Sequence, residues 1–524
     1  MFFINALPQQ KKTEVYSKLR YSVFLFGAYI FDLLLMLIKG QRLLDSDMAS
    51  EMILSNQLNN EHSILGITTT WFYSTELRFL ETQWFYRIGL VLAPNNWHIA
   101  RTIAVALMLF LLALSAWLLF RVCDRDDIAL CAAAFSLCPC GSWYLWQTIY
   151  GSYYLPYICI SIFTIVFVIL ASKSDSKIKR CIYTSIIVFL GISSGLNGVK
   201  QLMVFYAPFV IAMIALVAFR IRCFELDIKN GFNAKELYML ALALLATFAS
   251  CLGYVINSKV MVKYYNFSQF NDNQIYGAGI IESLRYYIWS FGYNESVELM
   301  SFGGLAVMLG VIIGFLTIIC AWRLLRNFRS LKLFEQVIVA ISCSSIAFCV
   351  FIFSYVGGEM QYYQPILPFG LFLILIDIHN EKYVLKNSKE VILAIFCAML
   401  VITSLGTTLS EFRDPLHPDR SRKHIREVVS FLVDSGYDKG VSFFWDSNII
   451  TELSDGKIEM WTLEIEDSKY QVHPWLQKKN HLYNFPSAHY FFVVESDMNI
   501  DTYLDTHPDL ELIYRDDYYN VWGN

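Results

Sequence analysis

The chain has 524 residues, of which 56% are apolar and 16% charged, with a mean hydropathy of +0.45 and a formal net charge of -4. That balance excludes an ordinary soluble globular protein and a basic nucleic-acid binder. Lipid is the main solvent, so charge is informative by side of the membrane and not in sum.

Residues 1–20 carry Lys11, Lys12, Lys18 and Arg20 and form a short N-terminal segment. It runs into an apolar stretch of membrane length without a signal-peptide pattern, so the first span reads as an anchor. Apolar spans follow near 21–39, 98–120, 128–147, 154–172, 181–198, 201–219, 237–256, 303–322, 334–354, 365–378 and 391–409. Each is at or near the roughly twenty residues that cross a bilayer, which predicts about eleven transmembrane helices. Pro139 predicts a kink or local break in the third.

Lys and Arg gather in one alternating set of connections, from Lys11 through Arg125, Arg180, Arg222 and Arg329 to Lys389, twenty-one in all. The opposite set before the tail has seven: Arg42, Arg78, Arg87, Lys200, Lys259, Lys263 and Arg285. This asymmetry puts the N-terminus inside and the long loops 40–97 and 257–302 outside. In the first loop, Met48 to Leu58 and Leu77 to Leu92 show helical spacing and predict two helices along the interface. Trp71, Phe72 and Tyr73 suit headgroup depth.

The whole of 21–410 reads as one transmembrane domain, and 411–524 as a separate extracytoplasmic domain. Asp419 to Gly436 predicts a helix. Val441–Trp445, Lys457–Leu463, His489–Val494 and Leu510–Tyr514 predict strands, giving a small α/β domain. All twelve cysteines, from Cys123 to Cys397, lie in or beside apolar spans, so no disulfide framework is expected outside the membrane. Within an apolar run, Cys138-Pro139-Cys140 reads as packing before it reads as a metal or redox pair.

Asp45 and Asp47 open the first loop, two residues apart at the lip of a span, where carboxylates are costly to desolvate. Asp-x-Asp is the spacing with which soluble sugar transferases hold a metal and a nucleotide sugar. Nucleotide sugars are cytosolic, however, and this pair is outside, which favours a lipid-linked donor. Either Asp47 or Asp45 could be the general base on an acceptor hydroxyl, while the other orients it or holds a divalent cation. One of them could instead cap the following helix. No His/Cys/Asp/Glu spacing predicts a metal site, and no phosphate loop or nucleophile elbow is present.

A short N-terminus, one span, an acidic cluster opening a long external loop, many further spans and a terminal soluble domain resemble the GT-C membrane glycosyltransferases. The resemblance covers the layout of the first 410 residues, and members similar in layout include the protein mannosyltransferase and lipid A aminoarabinose transferase groups. It implies transfer of a sugar from a polyprenyl-phosphate carrier to a glycan, lipid or protein acceptor, with an acidic residue of the first loop as catalyst. Ser46-Asp47-Met-Ala-Ser-Glu51 and Trp71-Phe-Tyr73-Ser-Thr-Glu76-Leu-Arg78 also resemble bacterial membrane proteins of this layout. Gln361-Tyr362-Tyr363-Gln364-Pro365-Ile-Leu-Pro368 is similar to an Arg-Tyr-x-x-Pro-x-x-Pro pattern in such transferases, with Gln361 in place of the arginine.

A neutral amide cannot meet a phosphate's charge, so Arg78, Lys263 and Arg285 become the candidate cations. Glu76, Glu359, Tyr73, Gln361 and Tyr362 complete the candidate substrate-binding set. The implied site is the outer face of a bacterial cytoplasmic membrane. A polymerase or ligase of lipid-linked oligosaccharides would share the layout. A polysaccharide transporter or flippase would need more intramembrane charge than Asp32.

Overall fold

A computed structural model of the chain describes residues 9–74, 77–152, 154–223, 234–267, 279–356, 360–363, 365–380, 386–411, 419–467 and 469–524. The first span, α1 (Gln9–Lys39), leads through a 3-10 turn to the first outer loop. That loop holds α2 (Ser46–Asn60), β1 (Trp71–Phe72) and α3 (Gln83–Leu92). Both predicted loop helices form, but the second begins at Gln83 and not near Leu77, and α2 is buried within the protein and does not lie along the interface.

The membrane part continues with α4 (Trp97–Val122), α5 (Ala129–Ser136), α6 (Ser142–Leu145), α7 (Leu155–Lys173), α8 (Lys177–Leu196), α9 (Ala207–Arg222) and α10 (Lys235–Lys259). After these come α11 (Gly279–Trp289), α12 (Phe302–Arg326), α13 (Leu333–Val356), α14 (Ile366–Ile378) and α15 (Lys386–Glu411). Among the described residues, nine helices are long and apolar enough to cross a membrane. Two of the eleven predicted spans take another form. Residues 366–378 make a shorter apolar helix, and the third span breaks between α5 and α6 at Cys138-Pro139-Cys140. Leu137, Cys138 and Pro139 line a cavity of about 370 Å3 against Asp32 of α1.

Small residues set the closest helix approach. A Cβ on Gly195 of α8 would sit 2.0 Å from the Ser250 carbonyl oxygen of α10, and one on Gly253 would sit 2.3 Å from the Ile192 oxygen. Only hydrogen fits at these positions, which fixes how deeply the two helices interlock.

The two sets of connections predicted from charge lie at opposite ends of the bundle. At one end Lys173 pairs with Asp124 at 2.7 Å, Arg220 with Glu236 at 2.7 Å and Arg125 with Glu335. At the other, Asn197 accepts from the Phe79 backbone amide at 2.5 Å and the Tyr86 hydroxyl lies 2.9 Å from that of Ser152.

The C-terminal part contains α16 (Asp419–Asp434), β2 (Lys439–Phe443), α17 (Phe444–Leu453), β3 (Glu459–Glu466), β4 (Lys469–Val472), β5 (Gln477–Lys478), β6 (Phe491–Glu495), α18 (Asp501–Thr506), β7 (Glu511–Arg515) and β8 (Tyr519–Gly523). Six strands form a mixed sheet in the order β4-β3-β2-β6-β8-β7, with β2 parallel to β3 and β6. Alternation along β6 sends Phe491 and Val493 to one face and Phe492 and Val494 to the other. The first face joins the main core through Ile449, Ile450 and Leu432, whereas the second has its own small core with Tyr503 and Leu510.

This domain docks on the outer loop. Helix α17 packs along α2 and α16 touches the turn at 40–43. Strands β1 and β5 pair antiparallel, Trp71 opposite Lys478, and the Tyr73 amide bonds the Asn266 carbonyl at 2.8 Å. Trp71, Phe72 and Tyr73 are therefore buried in protein and not set at headgroup depth, a correction of the sequence reading. Their main chain completes a two-stranded sheet with the tail and a bridge to the second loop, which covers the rings.

Candidate active site

The start of α2 carries three carboxylates, one at its cap and two within its first two turns. Asp45 is its N-cap, with extended backbone and Oδ1 accepting from the Met48 amide at 2.8 Å. The capping reading thus holds for Asp45, which satisfies one of the helix's unpaired amides. Asp47 lies one residue into the helix, half-buried, where the partial positive charge of the helix start favours an anion. Glu51 follows four residues later on the same face, 1% exposed.

Two arginines anchor this start of α2, Arg101 through the Met48 carbonyl and Arg78 through Glu51. Arg101, in the first turns of α4, is 1% exposed. Its Nε and Nη2 each donate at 2.6 Å to a carboxylate oxygen of Glu452 on α17, Nη2 also donates to the Met48 carbonyl at 2.8 Å, and Nη1 donates to the Tyr86 hydroxyl at 2.9 Å. Asp45 adds an electrostatic attraction to the same guanidinium. A buried ion with four of its five N–H donors used locks geometry as well as charge. Burial pushes the Tyr86 phenol up, against the pull of Arg101, so it stays a neutral hydrogen-bonding group.

Arg78 forms the second buried pair, with Glu51, whose other oxygen accepts from the Thr82 hydroxyl at 2.8 Å. Its φ of 57° is in the left-handed region that a residue with a Cβ rarely adopts. The Gln83 amide holds the Arg78 and Phe79 carbonyls there, and the Phe79 amide bonds Asn197.

Asn197 leads to the other wall. Three residues on, the Lys200 ammonium lies 4.5 Å from the centre of the Tyr362 ring and 6.0 Å from that of Tyr154. Tyr362 and Tyr363 belong to a 3-10 turn packed on α11, where the Tyr363 and Ser283 hydroxyls are 2.5 Å apart. The outer loop and the connections at 150–154, 197–200 and 360–363 therefore converge at one end of the bundle.

The remaining sequence candidates are dispersed. The Tyr73 hydroxyl accepts from the Thr68 amide at 2.9 Å and its ring meets Tyr265, so this residue braces the loop. Arg285 lies on α11 over Trp289, paired with Glu282 and Glu295 of its own loop, and Lys263 is exposed in the 3-10 turn Met261–Lys263. Glu76, Glu359 and the side chain of Gln361 lie outside the described residues.

Sequence reasoning missed Arg101, Glu452 and Lys200 as parts of this arrangement. Arg101 looks like a span-end arginine reaching for headgroups, and Glu452 like one acid among many in a polar tail. The only available signal for Arg101 is a charge four residues inside an apolar run. Among the described residues, one group of three ligating side chains lies within 4.8 Å, His424, Glu427 and Asp516, in the tail. Asp516 there accepts from His424 and from the Tyr518 and Tyr519 amides, which explains the cluster as a turn lock.

No protein-family model and no curated protein matches this sequence. Solved structures do match in fold. ArnT from Cupriavidus metallidurans bound to undecaprenyl phosphate superposes with a TM-score of 0.57 at 12% identity, over 96% of this chain and 97% of that one. The apo state of the same protein gives 0.55 at 11%, over 94% and 96%. The Archaeoglobus fulgidus oligosaccharyltransferase with a tethered acceptor peptide gives 0.45 at 12%, over 91% and 70%. The chain has the fold of that ArnT structure, a polytopic helical membrane domain with a strand-containing C-terminal domain.

Proposed function

We propose that this protein is a glycosyltransferase that moves a sugar from a polyprenyl-phosphate carrier to an acceptor at the outer face of a bacterial cytoplasmic membrane. The observation that carries the reading is the first turn of α2, where Asp47 and Asp45 stand half-buried at the lip of a membrane span, fixed through Arg101 to the tail domain. The fold likeness to ArnT, solved with undecaprenyl phosphate, supports a lipid-phosphate donor.

In this reading Asp47 is the general base, because Asp45 is occupied as helix cap. Asp47 takes the proton of an acceptor hydroxyl as its oxygen attacks the anomeric carbon. The bond from that carbon to the phosphate oxygen breaks, and the carrier phosphate leaves with the electron pair. One displacement inverts the anomeric centre. Lys200, beside Tyr362, meets the leaving phosphate and supplies the charge that Gln361 lacks. Arg78 serves to hold the loop through Glu51, and Arg285 and Lys263 are left to the rim. The acceptor is a glycan, lipid or protein, and the tail domain closes the outer side.

The charge asymmetry supports an internal N-terminus and, with the eleven spans read from the sequence, an external tail. The test is turnover of a radiolabelled monosaccharide-phosphate polyprenol by the purified protein, with Asp47→Asn as control. Transfer in the wild type and its loss in the variant support the reading. Transfer only from pyrophosphate-linked oligosaccharides would instead favour a polymerase or ligase.

A further inference from the structure

The sheet of the tail domain has a second face that the membrane domain leaves uncovered. On it, at the free edge of β4, lies a cleft of about 530 Å3 between β4, α18 and the segment around Phe485. Its walls are aromatic: Tyr470, Phe485, Tyr503 and His507. The Tyr503 and His507 rings stack 4.1 Å apart at 11°, and Tyr470 meets Tyr503 edge-on at 5.0 Å. The His507 Nδ1 lies 3.0 Å from the Tyr503 carbonyl and 2.9 Å from the Thr506 hydroxyl, which fixes the ring. Around these rings stand the exposed polar residues Lys469, Gln471, Thr502 and Thr506, of which the Gln471 amide already donates to Glu464 and Glu466 and the Thr506 hydroxyl to the Tyr503 carbonyl. Among the described residues, no carboxylate lines the cleft.

We propose that this cleft binds a glycan chain, the part of an acceptor remote from the reacting hydroxyl. Flat rings match the C–H faces of pyranoses, and the amide, hydroxyl and ammonium groups at the rim match their hydroxyls and any acidic substituent. A lipid would need an apolar rim, which Lys469, Gln471 and Thr506 interrupt. The location fits a remote subsite. The sheet face opposite this cleft joins α17 and α2, and residues 473–476 connect β4 directly to β5, which pairs with the first outer loop. Binding energy collected here would hold an acceptor chain near the catalytic turn. The inference rests on the glycosyltransferase reading for the role of the glycan, not for its binding.

The experiment is saturation-transfer NMR on the full-length protein in nanodiscs with three hexasaccharide probes: a neutral β-glucan, a chitin oligomer and a hyaluronan oligomer. Transfer to at least one is expected, with affinity at least fivefold weaker for the Lys469→Ala/Gln471→Ala double variant, whose two side chains are exposed. A Tyr470→Ala variant of unchanged Tm should lose the signal. No transfer to any probe, or equal transfer from the double variant, overturns the proposal. Donor turnover on the same preparations separates the two readings. Binding without turnover leaves the cleft and removes the enzyme, whereas turnover without binding removes only the cleft.

Discussion

Arg101 and Glu452, 351 residues apart, form a two-pronged ion pair in which Nε and Nη2 each reach a carboxylate oxygen at 2.6 Å. The pair crosses from the first turns of a membrane span to the tail domain, and the same guanidinium holds the Met48 carbonyl at the start of α2. It therefore couples the docking of the tail to the position of the carboxylates.

Breaking one partner leaves a buried unpaired charge, which costs roughly 3–5 kcal/mol. Glu452→Gln should lower the Tm and expose the α17 surface to limited proteolysis. Arg101→Met with Glu452→Leu should recover much of the Tm but not the turnover, since the Met48 carbonyl and Tyr86 hydroxyl lose their donor. Equal turnover in the double variant and the wild type would remove the coupling.

The two aspartates should separate. Loss of a general base costs about 10²–10⁴ in rate, so Asp47→Asn should lower kcat within that range at unchanged Tm. Asn caps a helix about as well as Asp, whereas Ala loses about 1 kcal/mol at such a position. Asp45→Asn should accordingly keep most of the activity and Asp45→Ala should lower the Tm. A larger kcat loss for Asp45→Asn than for Asp47→Asn would reverse the assignment.

The two cations Lys200 and Arg285 should separate by kinetics. Lys200→Gln should weaken donor use, seen as at least a tenfold drop in kcat/KM for the lipid-phosphate sugar, with partial rescue by Lys200→Arg. Arg285→Ala should change it less than twofold, because Glu282 and Glu295 already neutralise that guanidinium at the surface. Steady-state kinetics with varied donor decides between them.

Acid should loosen the tail where it meets the first loop. Hydrogen bonds from His481 and Lys478 hold the Glu459 carboxyl down to about 2 from its ordinary 4.5, so its contribution is complete above 4.5 and is lost as pH falls towards 2. Burial holds the His481 imidazole below its ordinary 6.5, so the unfolded chain takes up that proton first and stability also falls as pH drops below 6.5. Amide exchange in β5, corrected for its intrinsic pH dependence, should rise between pH 7.5 and 5.5 in the wild type. His481→Gln should flatten that rise.

The charges assigned to the reaction come from side chains, with Asp45 committed to the Met48 amide. Treatment with EDTA, followed by dialysis, should leave turnover within twofold of the untreated protein. A loss restored by Mn²⁺ or Mg²⁺ would show that the acidic turn holds a divalent cation.

The apolar runs, their alternating basic flanks and the strand-like segments of the tail were legible in the sequence, because hydrophobic period and length are local properties of a chain in lipid or water. The acidic pair at the lip was legible for the same reason, and so was the break at Pro139. What each of these groups meets was not. Glu452 under Arg101, Lys200 over Tyr362 and Glu51 against Arg78 are contacts between distant segments, and periodicity tells which residues leave water without telling what covers them. The covering of Trp71, Phe72 and Tyr73 by the tail, in place of lipid headgroups, was decided the same way. Two short strands 400 residues apart had to satisfy their amides on each other, and only the folded chain brings them together.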